Sequence, residues 1–161
     1  MATSWIANFQ ALRHRLLRYL QRKIGARSGK HASDEYTSVG AIGEQLARKF
    51  LKRLGYRILE TGFSVRQGEI DIIAVDKRVV VFVEVKTWTR SGQGGPSDAV
   101  DDRKQKRITS AALQYLKQNR LLETAARFDV VQVILETESG EPEIRHFQNA
   151  FEASGTYQMF S

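Results

Sequence analysis

The sequence predicts one mixed α/β (or α+β) domain in which a central mixed sheet is flanked by helices. Two segments with helical spacing of apolar residues are separated by segments rich in β-branched residues, in the order α-β-β-β-α-β-β. The 161 residues suffice for one domain with a core, and 42% apolar with 27% charged residues is typical of a soluble globular protein. No apolar run is long enough to cross a membrane as a helix.

A basic amphipathic helix is expected in an N-terminal extension, residues 1–37, which precedes the domain at residues 38–161. Its apolar residues recur at helical spacing among arginines: Trp5, Phe9, Leu12, Leu16, Leu20 and Ile24. Residues 25–37 have the composition of a linker. We expect a surface helix or one that docks on a partner protein, and contact with a membrane surface or nucleic acid phosphate is the alternative. Its acid-free composition also resembles that of an organelle transit peptide.

The net charge of +7 is concentrated in that extension. Seven of the 25 Lys and Arg residues lie in residues 1–30, which hold no acid, and the other 18 balance the 18 Asp and Glu residues. Binding of nucleic acid by the domain must therefore rest on local clusters of charge. The absence of cysteine excludes disulfides and thiolate metal sites and favours a reducing compartment, so we expect the protein in the cytoplasm. The three histidines are scattered and give no Ser-His-Asp arrangement.

The domain opens with a helix predicted from Val39 to Leu54. Its apolar stripe is Ile42, Leu46, Phe50 and Leu54, and Gly55 suits the position that follows a helix C-terminus. Glu44 lies beside this stripe, on one row with Ala47 and Leu51. The helix dipole favours an acid in the first turn, which is the alternative to a functional role for Glu44.

Extended segments follow this helix and return near the end of the chain. Short pieces at Tyr56–Glu60 and Phe63–Arg66 lead into two strands, Ile70–Val75 and Val79–Lys86, around the charged turn Asp76-Lys77-Arg78. Later strands are predicted at Phe128–Leu135 and Glu143–Phe147, joined by a turn at Ser139-Gly140.

A second helix is predicted from Ala99 to Gln118, after a glycine-rich loop that ends at an N-cap residue, Ser97 or Asp98. The loop lacks the Gly-Lys-Ser/Thr of a nucleotide-binding loop, so we expect a mobile active-site loop instead. The packing positions of the helix are Val100, Ile108, Ala112, Tyr115 and Leu116. A basic cluster either forms a solvated helix face or contacts phosphate: Arg103, Lys104, Gln105, Lys106 and Arg107.

Three charged residues, Asp71, Glu84 and Lys86, interrupt the apolar strands of the hairpin. Charges among buried residues are costly unless they are paired or bound to a metal. If Asp76 pairs with Val79 across the turn, Asp71 faces Glu84 directly. Glu84 and Lys86 are two residues apart on one strand and project on the same side. The sequence therefore predicts two carboxylates and an amine in one patch.

This patch suits a magnesium-type cation better than a structural salt bridge, in which the charges would balance. Mg²⁺ takes oxygen ligands, keeps several waters and is often held by one or two carboxylates together with substrate phosphate. Mg²⁺ or Mn²⁺ between Asp71 and Glu84 would polarise a phosphodiester and lower the pKa of a bound water. Lys86 would orient that water or neutralise charge on the phosphate oxygens. The predicted reaction is metal-dependent phosphodiester hydrolysis.

Four motifs carry a resemblance to a known family: Gly43-Glu44, Gly68-Glu69-Ile70-Asp71, Val83-Glu84-Val85-Lys86 and Lys104-Gln105. In this order they resemble the PD-(D/E)xK nuclease superfamily. Residues 39–151, with the closing Asn149-Ala150-Phe151, resemble more closely the YraN-type family of predicted bacterial endonucleases, which is similar to archaeal Holliday-junction resolvases. Two features depart from the pattern. No proline precedes Asp71, and Trp88 stands where relatives often have a basic residue, a charge that Arg90 can supply.

The resemblance implies a restriction-endonuclease-like αβββαβ core and an endonuclease that acts on DNA, including branched or junction DNA. It makes Asp71 and Glu84 metal ligands and Lys86 the catalytic lysine. It also makes Glu44 an additional active-site acid and Gln105 a supporting polar group. Junction resolvases act as dimers, so a homodimer is implied as well. The alternative function is a nucleic-acid-binding or scaffold module that retains the nuclease fold without catalysis.

Overall fold

A computed structural model describes residues 39–89, 100–135 and 140–154, which form two helices and five strands. In chain order these are α1 (Val39–Arg53), β1 (Arg57–Val65), β2 (Gly68–Asp76), β3 (Val79–Trp88), α2 (Asp102–Gln118), β4 (Ala126–Ile134) and β5 (Glu143–Phe151). The predicted order α-β-β-β-α-β-β is confirmed. The N-terminal extension, residues 90–99 of the glycine-rich loop and Ser139 lie outside the described residues.

The five strands lie side by side in one mixed sheet, in chain order. Neighbouring strands are antiparallel except β3 and β4, which are parallel and are joined through α2. A parallel pair needs a long crossover connection, and the segment that contains α2 supplies it. The first six elements therefore have the αβββαβ arrangement of a restriction-endonuclease-like core, and β5 adds an antiparallel edge strand. No helix in the described ranges is long and apolar enough to span a membrane.

The strands β2, β3 and β4 are buried on both faces, because each face of the sheet is covered by one helix, whereas the edge strand β5 is largely exposed. Alternate residues of β3, such as Phe82 and Val83, belong to two separate core clusters. The cluster on the α2 face includes Phe82, Phe128 and Tyr115, whereas the cluster on the α1 face includes Val83 and Leu51. Near-continuous apolar runs in β2 and β3 follow from this two-sided burial.

Helix α1 buries a row of residues one position away from the predicted stripe. The fully buried positions are Gly43, Ala47 and Leu51, whereas Leu54 of the predicted stripe is 52% exposed. Ile42, Leu46 and Phe50 are only half-buried. The small residues Gly43 and Ala47 allow the helix backbone to approach the sheet. The row of residues nearest the sheet is therefore not the most apolar row of the helix.

The prediction for Gly55 is confirmed by the end of α1. Gly55 has a φ of +88° and its N–H donates to the carbonyl of Lys52, while the N–H of Tyr56 donates to the carbonyl of Leu51. These two bonds form the Schellman arrangement, in which a left-handed residue closes the helix. Leu51 and Tyr56 share the α1-face cluster, so the helix end is also held by apolar contact.

Gly43 lies so close to β3 that an added Cβ would overlap the hydroxyl of Thr87. We expect Gly43→Ala to destabilise the fold, because overpacking costs about 1–3 kcal/mol and the gain in helix propensity, about 1 kcal/mol, offsets only part of it. The measurement is the urea midpoint of the variant against wild type. A raised midpoint, as for an uncrowded helical glycine, would show that α1 and β3 are not in this contact.

Several predicted strand boundaries are wrong in the same direction, because strand pairing continues past local breaks in the pattern. Strand β1 is continuous from Arg57 to Val65 rather than two short pieces, since a bulge between Ile58 and Glu60 absorbs the irregularity. Strand β5 extends to Phe151 instead of Phe147, because Phe151 still pairs with Phe128 of β4.

The N-cap of α2 is Asp101, not Ser97 or Asp98, and the helix begins at Asp102 instead of Ala99. Asp101 has an extended backbone, and its Oδ1 accepts the N–H of Lys104 at 2.7 Å. This is the side-chain bond that an N-cap makes to the third helical residue. The predicted packing positions Val100, Ile108, Ala112, Tyr115 and Leu116 are all buried.

Candidate functional site

The site lies where β2 and β3 separate. The predicted register is confirmed from Asp76↔Val79 to Ile72↔Val83, and the ladder between the two strands ends there. Beyond that point, Gly68–Ile70 pair with β1 and Glu84–Trp88 pair with β4. Asp71 and Glu84, which were predicted to pair directly, are each one residue past the last paired position and are not part of the ladder. The two carboxylates therefore flank a fork in the sheet.

Asp71 is fixed in this fork by a backbone hydrogen bond. The N–H of Val85 donates to Asp71 Oδ2 at 2.7 Å. Because Val85 lies beyond the end of the β2–β3 ladder, the Asp71 side chain replaces a backbone acceptor for this N–H. Burial raises the pKa of Asp71, and the Val85 N–H and the charge of Lys104 oppose that rise. The bond orients the carboxyl group of Asp71, which also interacts with that of Glu84 across the fork.

Glu84 is only 6% exposed, although it ends an apolar run. Its Oε1 lies 3.3 Å from the Nζ atom of Lys104, and its buried Oε2 has no hydrogen-bond partner among the described residues. Burial, followed by the negative charge of Asp71, raises the pKa of Glu84 to about 7, against the lowering effect of Lys104 and Lys86. A buried carboxylate oxygen without a partner is costly unless a cation or water occupies it.

Two further acids adjoin the pair. Glu44 of α1 is half-buried, and its pKa is raised first by burial and then by the charges of Asp71 and Glu69. Glu69 is 55% exposed, and its Oε1 lies 3.4 Å from Lys104 Nζ. Carboxylates from α1, β2 and β3 thus share one negative region. We did not predict Glu69 as a site residue, although it precedes Asp71 within one motif.

The acids fit a magnesium-type cation rather than a site made by protein ligands alone. Among the described residues, no three His, Cys, Asp or Glu side chains are arranged to hold a metal ion. Mg²⁺ keeps several waters and is commonly held by one or two carboxylates, so a complete protein cage is not required. The oxygen-only donor set and the unsatisfied Glu84 Oε2 fit such an ion at Asp71 and Glu84.

The predicted basic residues separate into different environments. Lys86 is half-buried on the same side of β3 as Glu84, and its charge acts on that carboxylate. Lys104 lies within the acidic region instead of on the helix surface. Gln105 Nε2 donates to the Val100 carbonyl at 2.7 Å and so braces the start of α2. The exposed members of the cluster are Arg103, Lys106 and Arg107. Arg90 lies outside the described residues.

A second charged cluster, which the sequence analysis did not predict, lies on the α1 face of the sheet. Asp129 is fully buried; its Oδ1 accepts from Arg127 Nε and the Asn149 N–H, both at 3.0 Å. His146 Nε2 lies 2.9 Å from Asp129 Oδ2. Arg127 also contacts Asp76 and donates to the Tyr56 hydroxyl at 2.7 Å. These bonds lower the pKa of Asp129 despite its burial.

Strand β5 bends around Asp129. Phe128 pairs with Phe151 and Val130 pairs with Phe147, so residues 148–150 form a bulge opposite the buried aspartate. Asn149 has a φ of +51° in this bulge, and Phe151 stacks on Phe128 with ring centroids 4.9 Å apart. The Asn149-Ala150-Phe151 motif therefore closes the sheet. Asn149 of this motif belongs to the second cluster, on the face opposite Glu84, whereas Phe151 packs against the core on the α2 face.

Comparison with known proteins places this geometry in a family. Residues 43–133 match the family described as "Uncharacterised protein family UPF0102". The chain belongs to the UPF0102 family. The matched region contains Glu44, Asp71, Glu84 and Lys86, and it ends before β5.

Relatives in the UPF0102 family align with most of the chain. A UPF0102 protein of Rhodopirellula baltica is 46% identical over 130 residues, which cover 79% of this chain and 78% of the relative. A UPF0102 protein of Geobacter metallireducens is 49% identical over 116 residues, 71% of this chain and 93% of the relative. One of Alkaliphilus oremlandii is 48% identical over 115 residues, 70% of this chain and 97% of the relative.

Proposed function

We propose that this UPF0102 protein is a metal-dependent endonuclease that hydrolyses phosphodiester bonds in DNA. The observation that carries the proposal is the fork between β2 and β3, where Asp71 and the buried Glu84 flank an opening and Glu84 Oε2 has no partner among the described residues. A structural ion pair would satisfy both oxygens. Branched or junction DNA is the proposed substrate, on the resemblance to junction resolvases.

In this proposal Asp71 and Glu84 hold Mg²⁺ or Mn²⁺. The cation would supply Lewis-acid polarisation of the phosphate and a lower pKa for water. During hydrolysis a water oxygen bonds to phosphorus, one ester P–O bond breaks, and the leaving oxygen takes up a proton. Lys86 donates a hydrogen bond to a non-bridging phosphate oxygen, where negative charge accumulates in the transition state. Glu44 adds a further acid whose charge acts on Asp71.

Phosphate contacts are proposed for the exposed basic residues of α2. Arg103, Lys106 and Arg107 lie on the helix whose first turn also reaches Glu84 through Lys104. A duplex whose backbone runs along this helix would bring a phosphate toward the fork. The basic side chains would supply sequence-independent affinity, since phosphate contacts position DNA without reading bases. Arg90 is proposed as a further contact from the loop after β3.

The first step of the proposal is tested by cation binding. We expect Mn²⁺ to raise the melting temperature of the wild-type protein, because at about 100 times Kd a ligand adds about 2.7 kcal/mol of stability. Glu84→Gln should remove this gain by removing a ligand charge. Glu152→Gln, a charge-matched change at an exposed residue beyond β5, should retain it. The measurement is differential scanning calorimetry with and without Mn²⁺.

The alternative function, a binding module without catalysis, is tested by the same melting experiment together with a DNA-binding assay. An equal melting temperature with and without Mn²⁺, together with DNA binding that survives in Asp71→Ala, would favour the binding module. Removal of residues 1–36 before the DNA-binding assay would then show whether the extension or the domain binds DNA.

A further inference from the structure

Lys104 connects two acids of the fork. Its Nζ lies 3.3 Å from Glu84 Oε1 on β3 and 3.4 Å from Glu69 Oε1 on β2. The two strands are no longer paired with each other at these residues. The ammonium group therefore bridges the two arms of the fork where the sheet ladder has ended.

The position of Lys104 is built into the start of α2. Asp101 caps the helix through the N–H of Lys104 itself, and Gln105 Nε2 bonds to the carbonyl of Val100. Gly68 at the start of β2 packs under Arg107, where a Cβ would overlap the Arg107 carbonyl. The N-cap at Asp101, the hydrogen bond of Gln105 and the close contact at Gly68 together hold the first turn of α2 against the start of β2. The side chain of Lys104 is 25% exposed, unlike the exposed Arg103 and Lys106 beside it.

We propose that Lys104 is a positioning residue that acts as a tethered counter-ion for Glu84 and Glu69 and competes with the divalent cation for this pair. An ammonium group and a divalent cation both seek carboxylate oxygens, and two cations near one carboxylate repel each other. Lys104 forms an ion pair with Glu84 Oε1, and Oε2 has no hydrogen-bond partner among the described residues. A cation that binds Glu84 therefore either lies beside the positive charge of Lys104 or displaces Lys104 from Oε1. The competition with a cation rests on the function proposed above.

A purely structural ion pair would behave differently. Loss of such a pair weakens the protein and, with it, every ligand that needs the folded site. Loss of a competing counter-ion weakens the metal-free protein, because a buried carboxylate remains uncompensated, but it tightens cation binding. Opposite signs for stability and affinity in one variant therefore distinguish the two roles.

The test uses the full chain without DNA. In Lys104→Met we expect a lower melting temperature in EDTA and a Kd for Mn²⁺ that falls by about tenfold, since a like charge is removed a few ångströms from the cation. Lys117→Met, an equal change of charge at an exposed position in the last turn of the same helix, should leave both values near wild type. Lys104→Arg, which retains the charge, should return both toward wild type. The measurements are calorimetric melting and titration of Mn²⁺ by isothermal calorimetry.

Two results would overturn the inference: one rejects only the competition, and the other also rejects the cation site. In the first, wild type binds Mn²⁺, Glu84→Gln does not, and Lys104→Met binds Mn²⁺ no more tightly than wild type. This result would reject Lys104 as a competing counter-ion but would retain the cation site. Absence of Mn²⁺ binding in wild type would reject the cation site, and the competition with it. Titration of Lys104→Arg shows whether charge, rather than the loss of side-chain packing, causes the change in Kd.

Discussion

Lys86→Ala is expected to lower the rate of Mg²⁺-dependent DNA cleavage by about 10²-fold or more, the usual effect of removing one group that stabilises transition-state charge. Lys86 shares the side of β3 that carries Glu84, and it is half-buried. Asp71→Asn should lose activity as well, because it removes the charge of a proposed cation ligand. Neither change enlarges a side chain, so the fold should be retained.

The measurement is single-turnover cleavage of labelled DNA by equal amounts of each protein. Four-way junctions, flaps, single strands and duplexes form the substrate panel, each with Mg²⁺ and with Mn²⁺. Lys117→Ala is the matched control, since Lys117 is an exposed lysine in the last turn of α2. Cleavage at wild-type rates by both Lys86→Ala and Asp71→Asn would assign the activity to a contaminating nuclease.

The approach of Asp71 to Glu84 was predictable because it depends on local sequence, whereas the end of the ladder just before this pair was not. Two strands joined by the short turn at Asp76–Val79 have their register set by that turn, so Asp71 and Glu84 are brought to one level without knowledge of the rest of the fold. Alternation of side chains then places Lys86 with Glu84. Each step uses residues within one hairpin, where chain connectivity fixes the geometry.

The environment of the fork was not predictable in the same way. Lys104 belongs to a run of basic residues that all look equivalent in the sequence. Its contact with Glu69 and Glu84 depends on the N-cap at Asp101 and on the approach of α2 over Gly68. The spacing of Ile108 and Ala112 places Lys104 on the buried side of the helix, but it does not show which strand residues Lys104 meets there.

The sequence around Asp129 contains a signal from which a buried charged cluster could have been suspected. It interrupts an apolar strand just as Asp71 and Glu84 do, and the same cost of burying a charge applies to it. Its partners are not local, because Tyr56, Asp76 and His146 come from other elements. The sequence alone therefore identifies Asp129 as a buried acid that needs partners, but it does not distinguish a structural cluster from a catalytic one.

Asp129→Ala is expected to destabilise the protein by about 3–5 kcal/mol, the cost of breaking a buried ion pair by removal of one partner. The change removes the acceptor of the Arg127 Nε and of the Asn149 N–H, and with it the side chain that faces the β5 bulge. The free energy of unfolding from urea titration is the measurement. Arg145→Ala, which breaks the ion pair with Glu143 between two exposed side chains on β5, should cost no more than about 1 kcal/mol.

The pH dependence of stability separates Asp129 from the fork. The pKa of Asp129 is lowered in the folded protein, so its contribution is present above the unfolded-state pKa and is lost as the pH falls through the folded pKa. Asp129→Asn should therefore flatten the acid limb of stability against pH. Because Asp129 pairs with Val83 on the α1 face, opposite Glu84, the same variant should still bind Mn²⁺ at neutral pH. Loss of Mn²⁺ binding in a folded Asp129→Asn protein would show that the two clusters act as one site.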